Sequence, residues 1–208
     1  GVEPSLTAEQ RREVRQRFAD SPVAFVGPGT ACEYHAADHG VVQQNIKDTK
    51  AFVELSHDLG GTGVKVRPNG FVKGEDRART IDRIGQALRE CGEFAAGFGQ
   101  QIRVEVHGPG TSDLAVMRDI MAAADHPAVV VCWNSNAGET VNGSLAHSFN
   151  LAGGKAERVH LHDCIDGHVR LEDFGILAVP GGFSFGGGTR GRGRSPEARS
   201  SGARRSPL

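Results

Sequence analysis

Residues 102–108 read IRVEVHG, a strand pattern that places a carboxylate and an imidazole two residues apart. Side chains of a strand alternate between its two faces, so Glu105 and His107 share one face and the valines occupy the other. The same alternation recurs in three further segments, where the paired residues are Lys65 and Arg67, Cys132 and Asn134, and His160 and His162. Each strand is therefore predicted to have one apolar face and one face that ends in polar groups.

Side chains of these types can bind a divalent cation and move a proton. Carboxylate, imidazole and amide donors suit Mn²⁺, Mg²⁺, Co²⁺ or Zn²⁺. Such a cation would polarise a substrate carbonyl or hydroxyl and stabilise an enediolate, while a neighbouring carboxylate moves a proton on the adjacent carbon. Glu105 is the best candidate for that carboxylate. Lys65 and Arg67 add positive charge that suits a phosphate or a sugar carboxylate.

Simpler structural roles remain open for several of these residues. His107 could hydrogen-bond near Glu105 or cap a loop, and Asn134 and Asn136 could form turns after their strand. Glu105 differs because an unpaired buried carboxylate is costly, which favours a functional role for it.

Helix and strand patterns alternate along the chain. Apolar spacing predicts helices over 7–19, 41–59, 75–98 and 112–124, and a weak helix near 138–151. Strands are predicted at 64–69, 102–107, 128–134 and 158–163, with a last apolar run near 175–180. Thr7 and Gln10 form a predicted capping box. The apolar run VAFVG at 23–27 is followed by PGTACEYHAADHG, which is interpreted as a polar loop.

This alternation predicts an α/β protein, either a doubly wound sheet or a (β/α) barrel. VGPGTACEY does not match the glycine-rich GxGxxG turn of a dinucleotide-binding sheet. Polar residues at the carboxyl ends of many strands favour a barrel. A complete barrel typically needs about 250 residues, so we expect a partial (β/α)₈ TIM barrel with about six strands over residues 1–180.

Composition and charge exclude several other classes. The chain has 208 residues and a formal charge of −1, and no window approaches a membrane-spanning length of apolar residues. Its four cysteines, Cys32, Cys91, Cys132 and Cys164, have no CxxC spacing, which favours a reducing, cytoplasmic setting. Residues 186–208 hold six arginines and one glutamate, so residues 1–185 carry a charge of −6. The acidic body argues against a nucleic-acid partner, and the Gly/Arg/Ser-rich tail over 181–208 is predicted to be disordered.

Residues from about 23 to 165 resemble the xylose isomerase-like TIM barrels, a family of sugar phosphate isomerases and epimerases. The resemblance is carried by LSHDLGGTGVKVRPNG, IRVEVHG, HPAVVVCWNSN and RVHLHD. It implies a metal-dependent isomerase or epimerase of a sugar or sugar phosphate that transfers a proton through an enediolate. Carried over, Glu105 matches the family's first metal-binding and proton-handling glutamate, Asn134 stands where an aspartate is usual, and His160 matches the histidine ligand. The expected substrate contacts are Lys65, Arg67, His107 and Asn136.

Two departures from the family pattern matter. Asn134 removes a charge from the metal site, which should weaken metal binding, and the final strand with the second glutamate is not visible, so the barrel is expected to be C-terminally incomplete. Residues 171–187, LEDFGILAVPGGFSFGG, instead resemble part of the glutaminase domain of phosphoribosylformylglycinamidine synthase, without its nucleophilic cysteine. A frameshift or gene-model join explains the basic tail better than nucleic-acid binding.

Two other functions stay open at this point. One is an endonuclease IV-like metal-dependent hydrolase, although such sites use more histidines and several zinc ions. The other is an inactive, truncated barrel, whose open sheet edges would favour instability or a homo-oligomer.

Overall fold

In the described part of the chain, five parallel strands form a single sheet whose spatial order follows the sequence. The computed structural model describes residues 2–134 and 156–160, with side chains for 2–133. The strands are β1 (Gly29–Glu33), β2 (Gly63–Arg67), β3 (Gln101–Glu105), β4 (Val129–Asn134) and β5 (Ala156–His160). The helices are α1 (Ala8–Ala19), α2 (His39–Asp58), α3 (Arg77–Gly97) and α4 (Leu114–Ala124).

The strand order decides between the two predicted architectures. In a doubly wound sheet the order reverses at a switch point, where ligands bind. Here every described strand lies beside the strand that precedes it in the chain, in the order β1-β2-β3-β4-β5. This is the arrangement of a barrel wall, and the prediction of a parallel α/β protein of TIM-barrel type is confirmed. The predicted helix near 138–151 and the apolar run near 175–180 lie outside the described residues.

The four helices begin at side-chain caps that are visible in the sequence. Thr7 and Gln10 form the predicted capping box, in which the Gln10 amide donates to Thr7 Oγ1 at 3.3 Å. The other helices each start after an aspartate whose carboxylate accepts from a backbone amide of the first turn, and these caps are Asp38, Asp76 and Asp113. Such caps satisfy amides that have no partner within the helix. The predicted helix starts lie within two residues of the observed ones.

The first strand lies where the sequence predicted a loop. β1 is GTACE, whereas 23–27 is the segment with the apolar residues. The latter instead runs past the amino end of the sheet, where the Val26 carbonyl accepts from the Thr62 amide at 2.9 Å. Gly27 has φ 152°, and a Cβ there would lie 1.8 Å from the Gly63 carbonyl oxygen. Gly27 therefore leaves no room for a side chain where it passes Gly63, and the strand that pairs with β2 is the less apolar segment GTACE.

One face of the sheet packs against the helices and forms the apolar core. Ile102, Val104, Val131 and Trp133 are at most 2% exposed and belong to one cluster with α2, α3 and α4. Trp133 therefore packs on this helix-covered side of the sheet, the outer face. On the opposite face the buried residues include Lys65, Arg103 and Glu105. The predicted alternation of apolar and polar faces is therefore correct.

The described cysteines Cys32, Cys91 and Cys132 are free and buried. Burial raises the pKa of the Cys91 thiol to about 12, and the Tyr34 hydroxyl lies 3.9 Å from its sulfur. These cysteines therefore behave as small core residues. Within the part of the chain that the structure describes, no helix has the length and hydropathy needed to cross a membrane.

Candidate functional site at the carboxyl ends of the strands

Register brings the polar strand ends to the same rim of the sheet. Glu33 lies opposite Arg67, Glu105 lies opposite Cys132, and Asn134 lies opposite His160. Because all five strands are parallel, their carboxyl ends meet at one edge of the wall. Residues from distant parts of the chain thus become neighbours without any direct signal of their pairing in the sequence.

Lys65 and Glu105 form an ion pair between β2 and β3 inside the wall. Lys65 Nζ donates to Glu105 Oε2, and each side chain is only 10% exposed. Lys65 is in register with Arg103, so its side chain reaches diagonally to the next inward residue of β3. Glu105 is therefore a buried carboxylate with a charged partner, and its burial alone does not make it functional.

Arg67 and Glu33 form a second ion pair between β2 and β1, closer to solvent. Arg67 Nη2 donates to Glu33 Oε1 at 2.8 Å, and the side chains are 28% and 24% exposed. His35 Nδ1 lies 3.9 Å from the other Glu33 oxygen. Arg67 Nε and His35 Nδ1 are buried without a hydrogen-bond partner among the described residues. Both cations predicted to attract a phosphate are thus engaged by carboxylates.

His107 lies just beyond β3 and is exposed at the rim. Its carbonyl accepts from Thr111 Oγ1 at 2.8 Å. The following residue, Gly108, has φ 105°, and a Cβ there would lie 2.2 Å from the Asn69 carbonyl oxygen. Gly108, which ends IRVEVHG, therefore allows close contact between the loops that follow β2 and β3. His107 precedes this contact and lies exposed at the carboxyl rim of the sheet.

A third ion pair fixes the loop between β2 and α3. Arg83 donates to Glu75 and, at 2.8 Å, to the carbonyl of His35. Thr80 Oγ1 also donates to Glu75 at 2.6 Å. The Arg83 hydrogen bond holds the pKa of the Glu75 carboxyl below its usual value. Through Arg83, this cluster connects His35 at the rim to α3. The cluster could not be predicted from the sequence because its members lie in different loops and helices.

The sequence analysis also did not single out Arg103, although the alternation of side chains along β3 places it on the same face as Glu105. It is two residues before Glu105 in the same strand, and it is 4% exposed. Its guanidinium donates to the Val26 carbonyl at 3.1 Å and to Thr62 Oγ1 at 2.7 Å. These partners lie at the amino end of the sheet. Arg103 therefore links the inner face of β3 to the segment 23–27.

A metal site would need donors from three strands. Among residues whose side chains are described, no three His, Cys, Asp or Glu side chains come together as a metal-binding group. Of the three predicted ligands, Glu105 has a described side chain, whereas Asn134 and His160 are placed by backbone register alone. Asn136, His162 and Asp163 lie outside the described residues. Carboxylate, amide oxygen and imidazole at neighbouring strand ends are a suitable donor set for a divalent cation.

A singly wound parallel sheet with polar strand ends defines the class of TIM-barrel proteins that carry their sites at the carboxyl rim. The family model described as xylose isomerase-like TIM barrel matches residues 1–181, and the chain belongs to this family. The resemblance noted in the sequence is thereby confirmed.

Solved structures of sugar epimerases share the fold. The 3-keto-D-glucoside 4-epimerase YcjR from E. coli superposes with a TM-score of 0.64 at 14% identity, covering 76% of this chain and 66% of that one. D-Psicose 3-epimerase with D-tagatose from Clostridium cellulolyticum H10 gives 0.65 at 15% identity, covering 76% and 58%. The IOLI protein with a bound zinc atom gives 0.62 at 17% identity, covering 72% and 55%. The chain thus spans roughly half to two thirds of these proteins.

A short stretch also matches a curated protein with a different name. The phosphoribosylformylglycinamidine synthase subunit PurQ of Methanococcus maripaludis (strain C7 / ATCC BAA-1331) is 46% identical over 44 residues. That match covers 21% of this chain and 16% of the relative. It agrees with the short glutaminase-domain resemblance, and it is too small to assign that protein's activity here.

Proposed function

We propose that this protein is a metal-dependent isomerase or epimerase of a sugar, acting by proton transfer beside a carbonyl through an enediolate. The observation that carries the proposal is the buried Glu105 carboxylate at the end of β3, two strands from His160 and adjacent to the strand of Asn134. Membership of the xylose isomerase-like family supports it. The epimerases among the proteins with the same fold are consistent with it.

The cation would be held by Glu105, Asn134 and His160. When bound, it would stabilise negative charge that develops on the substrate oxygen during proton removal. Asn134 supplies a neutral oxygen where a carboxylate would bind more tightly, so we expect weak retention of the metal. Mn²⁺, Mg²⁺, Co²⁺ and Zn²⁺ all fit this donor set.

Glu105 is the proposed proton-transfer group, and Lys65 fixes its position. The Lys65 ammonium offsets the cost of burying the carboxylate and holds one of its oxygens. Arg67, His107 and Asn136 are proposed contacts for substrate hydroxyls, and Lys65 reaches the same space. Of these, the structure describes His107 as exposed and Arg67 as half-buried at the rim.

Glu105→Gln tests the proposal because it keeps the side-chain shape and removes the base. With added Mn²⁺, the wild type should exchange the proton beside the carbonyl of at least one ketose in a panel containing D-fructose and D-tagatose. Deuterium incorporation from heavy water, followed by NMR, measures this step. We expect Glu105→Gln to slow exchange by about 10²-fold or more, the usual contribution of a general base.

Glu54→Gln is the matched control, because Glu54 is exposed on α2 and the same atoms change. It should leave exchange and metal content unchanged. Unaltered exchange in Glu105→Gln, or no exchange by the wild type with any of the four metals, would show that the proposed site is wrong.

A further inference from the structure

A groove runs between α1 and the carboxyl end of α2. Its first part is a cavity of about 250 Å³, which is lined from α1 by Ala8, Arg11, Arg12 and Arg15. These residues recur at spacings of three and four, so one side of the helix carries all of them. The lining from α2 consists of His57 and Asp58. Among the described residues, this cavity is therefore lined by three guanidinium groups and a single carboxylate.

The carboxylate of Asp58 is paired with Arg11. Arg11 Nη1 donates to Asp58 Oδ2 at 2.7 Å, and the same guanidinium donates to the carbonyls of Leu6 and Pro4 at 3.1 and 2.6 Å. These bonds tie the segment before α1 to the helix and to α2. Arg11 is therefore a structural residue, and its pair with Asp58 adds no net charge to the groove.

Arg12 and Arg15 are the two cations that remain. Both residues are exposed, and Arg15 Nη1 reaches the Asp58 carbonyl only at 3.5 Å. In the described part of the chain, neither guanidinium forms an ion pair with a carboxylate. A guanidinium presents a planar fork of donors that matches a carboxylate. The groove therefore offers two uncompensated positive groups to an anion.

The groove continues into a second cavity of about 320 Å³ whose lining is mostly apolar. Arg15 lines both cavities. Beyond it the lining includes Phe18, Val23, Phe25 and Leu59. The ring centroids of Phe18 and Phe25 are 5.1 Å apart, and Val23 is 50% exposed although its side chain is apolar. A ligand that spans both cavities would therefore place a negative group beside the arginines and an apolar body beside these side chains.

We infer that this groove binds a small amphipathic carboxylate, with its charged end at Arg12 and Arg15 and its apolar chain in the second cavity. The two cavities together have the volume of a small-molecule site, roughly 300–1,000 Å³. The groove lies at the amino end of the sheet, because α2 ends at Asp58 and β2 begins at Gly63. The proposed active site lies at the opposite, carboxyl rim, so the inference does not rest on the proposed function.

An anionic membrane surface matches this region less well than a small carboxylate does. Glu9 and Glu13 are exposed on the same helix, and anionic lipids would repel them. A small ligand that enters the groove meets only the arginines and the apolar walls, since no carboxylate of α1 lines either cavity.

Calorimetric titration of the full chain with octanoate tests the inference. Acetate lacks the apolar chain and 1-octanol lacks the charge, so each probe makes only part of the contacts. The wild type should bind octanoate at least about tenfold more tightly than either probe. The double variant Arg12→Gln/Arg15→Gln should weaken octanoate binding by about tenfold or more and leave 1-octanol binding unchanged. Val23→Ser should weaken octanoate binding and leave acetate binding unchanged.

Arg17→Gln is the matched control, because the same atoms change on the same helix. Arg17 pairs with Glu13 and lines neither cavity, so this variant should bind octanoate as the wild type does. Circular dichroism checks that each variant is folded. The inference would be overturned by a wild type that does not bind octanoate at millimolar concentration, by equal affinities for octanoate and acetate, or by equal weakening in Arg17→Gln and the double variant.

Two further probes identify other occupants. Phosphatidylserine vesicles represent a membrane surface, and a peptide of alternating leucine and glutamate represents an acidic protein segment. If either bound more tightly than octanoate, and lost that binding in Arg12→Gln/Arg15→Gln, the groove would be a docking surface for a membrane or a protein, and the assignment to a small carboxylate would be wrong.

Discussion

Both faces of the sheet bury side chains of β3, but the two faces have opposite chemistry. On the outer face, Ile102, Val104 and Trp133 pack against helices. On the inner face of β3, Arg103 and Glu105 are 4% and 8% exposed. The outer face gains stability from each apolar group that leaves water. The inner face gains less of that kind, from residues such as Val130 and Cys132, and its buried charges need partners.

This difference explains why the inner face depends on particular partners. An apolar side chain in the outer layer can be replaced by another of similar volume at modest cost. An inner charge that loses its partner stays buried and uncompensated, which is costly.

The largest expected effect comes from separating the inner pair. Lys65→Met removes the ammonium and keeps the length of the side chain, so Glu105 is left buried without its charged partner. We expect a loss of roughly 3–5 kcal/mol in the free energy of unfolding. Urea unfolding followed by circular dichroism measures it.

The double variant Lys65→Met/Glu105→Leu separates charge from packing. Because both charges are gone, it should recover most of the stability lost in Lys65→Met. A double variant no more stable than the single one would mean that the uncompensated carboxylate is not the cause.

A smaller effect is expected on the outer face. Ile102 is fully buried, and Ile102→Val removes one methylene from the core. The expected loss is about 0.5–1.5 kcal/mol in the same urea experiment. If this loss equalled that of Lys65→Met, the proposed contrast between the two faces would fail.

The smallest effect is expected for the ion pair on the helix layer. Lys50 and Glu90 are 30% and 45% exposed, so water screens their attraction. Glu90→Gln should change the free energy of unfolding by less than about 1 kcal/mol. Raising the salt concentration should reduce even that difference, whereas the cost of Lys65→Met should persist because its site is buried.

Several features followed from local patterns in the sequence. Helix periodicity, together with the capping box of Thr7 and Gln10, predicted the described helices closely. The period-two alternation of IRVEVHG predicted the faces of β3, because side-chain parity in a strand needs no tertiary information. β1 could not be found in this way, since GTACE has little strand character and becomes a strand through its pairing with β2.

By itself the sequence determined the α/β class, the family resemblance and the polar face on which Glu105 lies. The predicted roles of Glu105, Asn134 and His160 in metal binding stay predictions. Only the tertiary structure decided the charge at the rim: Lys65 and Arg67 appear in the sequence as two neighbouring cations, and the fold pairs them with Glu105 and Glu33. The physical reason is that parallel strands bring together residues 34 to 40 positions apart. No local pattern records which carboxylate will lie beside which cation.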